Sequence, residues 1–118
     1  MAYQSYEDLE VWRKAYKLSV RLYRLLENCR EYGIRDQMTR AGVSIASNIA
    51  EGAERGSNAE FIRFLHIAKG SAAELRTQVT IAGDIGIFQE SDKNELISET
   101  KSISKMLQSL VKSLKLKT

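Results

Sequence analysis

Apolar residues recur along this chain at three- and four-residue steps in four successive segments, the spacing of amphipathic helices and not of strands. The first segment, Tyr6 to Leu26, carries the stripe Leu9, Trp12, Tyr16, Ser19, Tyr23 and Leu26, with Ala15 and Leu22 beside it. A second line, Val11, Leu18 and Leu25, runs along its flank. Ser5 followed by Asp8 reads as an N-cap with an early acid. The second segment, Ile34 to Glu54, carries Ile34, Met38, Ala41, Ile45, Ala46 and Ile49, and is rich in small residues. Gly33 reads as the turn before it. The third, Ala59 to Ala82, carries Phe61, Leu65, Ala68, Ala72, Leu75, Val79 and Ala82, with Ser57 or Asn58 as its cap. A loop from Gly83 to Ser91 is expected to fold Ile85, Ile87 and Phe88 over the bundle end. The fourth segment, Asp92 to Leu114, is capped by Ser91 and carries the heptad seam Leu96, Thr100, Ile103, Leu107, Leu110 and Leu114.

Four helices with short connectors predict an all-α, antiparallel up-down-up-down four-helix bundle. The chain's 118 residues suit one domain, 1–118, of that kind. No proline interrupts any segment. The N-terminal stretch carries Glu7, Asp8 and Glu10 and lacks the apolar core of a signal peptide. With no apolar run long enough to span a bilayer, a cytoplasmic location is expected.

Helices two and three form a hairpin around Ser57. Antiparallel pairing then sets Asn48 opposite His66, Glu51 opposite Arg63, Ser44 opposite Gly70 and Arg40 opposite Glu74. The pairing predicts close backbone approach at Ser44, Gly70 and Ser71, and cross-links between Arg40 and Glu74 and between Glu51 and Arg63. Asn48, Glu51 and His66 read either as a polar site or as a hydrogen-bond network that fixes helix register, and the second reading needs no further ligand.

Charge adds a mild bias: 18 Lys and Arg against 15 Asp and Glu give +3. The aromatics Tyr3, Tyr6, Trp12, Tyr16, Tyr23 and Tyr32 concentrate in the first third of the chain and interleave with the basic residues of helix one, Arg13, Lys14, Lys17, Arg21 and Arg24. That combination can neutralise and stack on nucleic acid, or can be core beside a solvated face. The lysines at 112, 115 and 117 stand in reserve. Catalytic chemistry is not evident. A lone His66 and a lone Cys29 cannot supply a two-histidine zinc site or an intrachain disulfide. Glycine-rich phosphate motifs are missing too. We therefore expect no enzyme activity, no metal and no cofactor.

Several strings together resemble one family. They are Tyr6-Glu7-Asp8-Leu9-Glu10-Val11-Trp12 with Ala15, Tyr32-Gly33-Ile34 with Gln37, and Arg40-Ala41-Gly42-Val43-Ser44-Ile45-Ala46-Ser47-Asn48-Ile49-Ala50-Glu51-Gly52. Phe61, Phe64-Leu65, Ala68-Lys69-Gly70-Ser71 and Glu74 follow. The chain resembles the bacterial four-helix-bundle proteins encoded within intervening sequences of 23S rRNA genes. That resemblance implies a bacterial, cytoplasmic bundle that assembles as a ring-shaped homopentamer, and implies no activity. Relatives commonly carry a proline in the first connector, where this chain has Glu27-Asn28-Cys29-Arg30-Glu31. The architecture is also similar to the accessory variability protein of diversity-generating retroelements, a basic pentamer that binds a reverse transcriptase and nucleic acid. Two functions follow as expectations: a ring-forming adaptor for RNA or DNA, or a protein-only scaffold for a partner such as a reverse transcriptase. Surplus apolar surface on helices one and three points to a subunit interface.

Overall fold

The structure, a computed structural model, describes residues 5–117. Tyr3 lies outside the described residues. Four helices follow one another: α1 (Glu10–Leu25), α2 (Tyr32–Glu54), α3 (Asn58–Asp84) and α4 (Glu90–Leu116). Contacts between neighbours pair a rising number on one helix with a falling number on the next, the signature of antiparallel packing. Ser44 meets Ser71 while Gly52 lies against Phe64, and Lys69 reaches Gln108 while Gly83 lies against Lys93. The molecule is correspondingly long and narrow, 46 × 20 × 19 Å.

Helix boundaries differ from the sequence pattern in ways that local chemistry explains. Ser5 caps a single 3-10 turn, Tyr6–Asp8, accepting from the Glu7 N–H, and α1 starts only after Leu9. Gly33 is not a turn residue but sits inside the first turn of α2. Ser57 does cap α3, accepting from the Glu60 N–H at 3.2 Å. The residue preceding α4 is Gln89, not Ser91, and its side chain makes no capping bond. Gly83 lies within α3, so the last connector is shorter than expected, and Gly86 turns it at φ +89°. Of its apolar residues Phe88 is buried and Ile87 packs against the core, while Ile85 is exposed.

Helix α3 buries the whole line expected of it, from Phe61 to Ala82. Helix α4 buries Leu96, Thr100, Ile103 and Leu107, then shifts to Val111 and Leu114, leaving Leu110 half-buried. A straight α-helix has 3.6 residues per turn, so a strict seven-residue seam drifts off the buried face.

Helix α1 divides the two expected lines between core and surface. Val11, Ala15, Leu18 and Leu22 are its buried residues. Tyr16 and Tyr23 of the first stripe face outward at 50% and 55% exposure. The core face thus takes Val11 and Leu18 from the flank, Ala15 and Leu22 from beside the stripe and Leu26 from the stripe itself, while the flank's Leu25 and the stripe's two tyrosines are exposed. Trp12 stacks on Tyr16 at 5.5 Å between centroids, and Tyr6 meets Trp12 edge-on at 5.3 Å.

Two glycines hold close approaches between helices. A Cβ at Gly52 would lie 2.6 Å from the Phe64 Cβ, so α2 and α3 come together there. A Cβ at Gly42 would lie 2.9 Å from a Leu22 methyl, where α1 crosses α2. At Gly70 a Cβ would meet nothing within 4 Å. Small size is needed at Gly52 and not at Gly70, contrary to the expectation for the hairpin.

Candidate nucleic-acid interface

The five basic residues of α1 do not act alike. Arg21 points across to α4 and bonds Asp92 at 3.4 Å, Glu95 at 2.7 Å and Glu99. Burial works against its charge, but the hydrogen bond to Glu95 and the fields of Glu99 and Glu95 outweigh that, and its pKa is raised. Arg21 is thus a brace between helices, its charge already neutralised. Arg13 donates through Nε to the Glu7 carbonyl at 2.9 Å and lies 3.8 Å from Asp8, tying down the N-terminal turn. Lys14, Lys17 and Arg24 remain, exposed and without an ion pair among the described residues.

Lys14 and Lys17 line a groove of about 310 Å³ between α1 and α4, with Ser98, Ser102, Glu99 and the buried Ile103. The same two serines border a shallow depression on α4 that Lys101 and Lys105 also line. Four lysines therefore flank one pair of serine hydroxyls, two from each helix. After Glu99, α4 carries Lys101, Lys105, Lys112 and Lys115 with no carboxylate. Ammonium groups such as those of Lys14, Lys17, Lys101 and Lys105, beside hydroxyl donors, are what a phosphate backbone engages. The α4 half of this surface is legible in the sequence as the absence of acids after Glu99, a pattern that a solvated face also produces. Arg24 lies elsewhere, in a depression of about 510 Å³ on the outside of α1 with Tyr16, Lys17, Val20, Arg21 and Leu25.

The polar residues of α2 and α3 form a structural array, in part not the one expected. Ser44 and Ser71 share a hydrogen bond of 2.9 Å, and Asn48 donates to the Ser44 carbonyl at 2.8 Å and to its hydroxyl at 3.0 Å. This network supports the register. His66, however, is exposed and takes no part in it. Glu51 pairs within its own helix with Arg55 at 2.8 Å, and Arg63 with Glu60 at 3.0 Å, instead of with each other. Each i,i+4 or i,i+3 partner is within reach without spanning the helix gap. Arg55 and Arg63 also stack over Phe64, at 4.8 Å and 4.6 Å from its centroid. Arg40 and Glu74 line one groove with Gln37, Ala41, Ser44 and Gln78 but do not form the expected ion pair.

Cys29 is half-buried against the core. Among the described residues no group of three or more His, Cys, Asp or Glu side chains could hold a metal ion, and no helix is long and apolar enough to cross a membrane.

A family model described as 23S rRNA-intervening sequence protein matches residues 7–109. The chain is also similar to a crystal structure of a protein with unknown function from the S23 ribosomal protein family of Bacteroides thetaiotaomicron. The two share 28% identity with a TM-score of 0.81, over 86% of this chain and 98% of that one. No curated protein matches.

Proposed function

The chain belongs to the 23S rRNA-intervening sequence protein family, and from that premise we propose that it is a non-enzymatic, ring-forming adaptor of the bacterial cytoplasm that binds RNA or DNA. The observation that carries the binding is the set of Lys14, Lys17, Lys101 and Lys105 around Ser98 and Ser102, none of them paired with a carboxylate among the described residues. A single subunit at +3 would hold a nucleic acid weakly. Five copies in a ring carry about +15 and repeat the lysine surface, so weak contacts add through multivalency.

The exposed aromatic and aliphatic residues of α1 and α3 support assembly. A protein-only scaffold is the competing reading, and that same apolar surface, offered to a foreign partner, is what favours it.

Salt separates the two. Binding of labelled RNA and DNA oligonucleotides, measured from low to physiological salt, should weaken linearly on a log–log plot, with a slope set by the phosphates neutralised. Absence of binding to either at low salt would rule out the adaptor and leave the scaffold.

A further inference from the structure

Two outward faces of this bundle carry apolar residues that no neighbouring element covers. On α1 they are Tyr16, Val20 and Tyr23, at 50%, 37% and 55% exposure. On α3 they are Ile67 and Ile81, at 41% and 49%, with Glu74 midway between them. Helical spacing puts each set on one side of its helix.

The α3 face has a polar centre with unmet demands. The Gln78 side-chain oxygen is buried without a hydrogen-bond partner, alone in this among the described residues. It borders the α2–α3 groove that holds Arg40 and Glu74, neither of them ion-paired among the described residues. The Gln78 oxygen is sealed from solvent, whereas the exposed Glu74 carboxylate is open to a donor from a neighbouring molecule.

The α1 face offers matching chemistry. A tyrosine phenol donates to an amide oxygen or a carboxylate, and its ring accepts a guanidinium on its face. The second geometry already occurs in the molecule, where Arg35 sits 4.6 Å over the Tyr32 ring. Arg24, without an ion pair among the described residues, borders the α1 face and complements Glu74.

We propose that the α1 face of one copy docks on the α2–α3 face of the next, with Tyr16 and Tyr23 set against Ile67 and Ile81 and a phenol or Arg24 donating to Glu74. The inference rests on the ring reading above and deepens it by naming the two surfaces that meet. The contact is heterologous, since the faces differ, and such contacts propagate head to tail until the rotation closes a ring. Lys14 lines the groove toward α4 and not the depression that holds Tyr16, so its end of the lysine groove stays open after assembly, while Lys17 borders both the groove and the docking face.

The test uses the full chain with Tyr23→Asp or Ile81→Asp, both at exposed positions, with circular dichroism and thermal melting to verify folding. Native mass spectrometry at tens of micromolar then reads the stoichiometry. Each variant alone is expected to be monomeric. Mixed, they should form a 1:1 heterodimer and nothing larger, because one intact α1 face meets one intact α3 face. Two variants that assemble like the wild type, or a mixture that stays monomeric, would overturn the docking while leaving the ring reading intact. A monomeric wild type would defeat the ring reading itself and this proposal with it. Should a variant fail to fold, Val20→Asp on α1 or Ile67→Asp on α3 replaces it in the same mixing experiment.

Discussion

Alanine at three helical glycines should rank in the order that the packing at each dictates. At Gly52 the added Cβ lies 2.6 Å from the Phe64 Cβ, 3.2 Å from a Phe61 ring carbon and 3.3 Å from the Phe61 carbonyl. Two of these atoms are fixed to the α3 backbone, so the helices must separate. Overpacking of that kind costs about 3 kcal/mol. Alanine gains about 1 kcal/mol over glycine inside a helix. The net is a loss of about 2 kcal/mol, or about 8 °C in Tm for a domain of this size. At Gly42 the clash is with the end of the Leu22 side chain at 2.9 Å, which can shift at a cost of about 1 kcal/mol, and the two effects cancel. At Gly70 nothing stands within 4 Å, so the substitution stabilises by up to about 1 kcal/mol. Thermal and urea unfolding at one protein concentration would measure all three. A Gly52→Ala variant as stable as the wild type would refute the close approach assigned to Gly52, and a Gly70→Ala variant that loses stability would refute the open space assigned to Gly70.

Other perturbations have similarly defined outcomes. Arg21→Ala leaves Asp92, Glu95 and Glu99 facing an empty seam and should cost about 1 kcal/mol, the pair being part-exposed, with the loss shrinking as salt rises in urea titrations. Ser57→Ala removes the α3 cap and should cost about 1 kcal/mol by the same assay. The hydrogen bond from Arg63 holds the Glu60 carboxyl below its usual range, aided by the charges of Arg63 and Arg55. A depressed folded-state pKa stabilises above the unfolded value and loses that stabilisation as pH falls through the folded one. Glu60→Gln should therefore lower Tm at neutral and alkaline pH and flatten the acid limb of the Tm–pH profile, so that variant and wild type converge at low pH.

The helices are legible in the sequence because their signals are local. An uninterrupted line from Phe61 to Ala82 and a proline-free chain leave one reading, and Ser57 before Glu60 marks a start that backbone geometry confirms. Which side of α1 faces inward is not legible. Its two apolar lines have the same period, and period alone does not choose between Tyr16 and Leu18; the decision falls to volume and hydroxyl solvation against α2. The candidate site is legible in part for a related reason. Counting cations on α1 finds Lys14 and Lys17, but only the α1–α4 packing shows that Arg21 is spent on three carboxylates and that Lys101 and Lys105 stand beside them. Helix-to-helix register decides the polar hairpin as well. Ser44 and Ser71 meet as the pairing requires, whereas Glu51 and Arg63 each find a nearer partner on their own helix.

The claim that Lys14, Lys17, Lys101 and Lys105 engage a phosphate backbone is tested most directly by comparing salt slopes. Wild type and the quadruple alanine variant would be titrated with a single-stranded oligonucleotide across a range of salt. The account predicts that the variant binds more weakly at every concentration, with a slope shallower by about 0.7 for each phosphate that the removed lysines no longer neutralise. A wild type that ignores the oligonucleotide at low salt, or a variant with an unchanged affinity and slope, would contradict it.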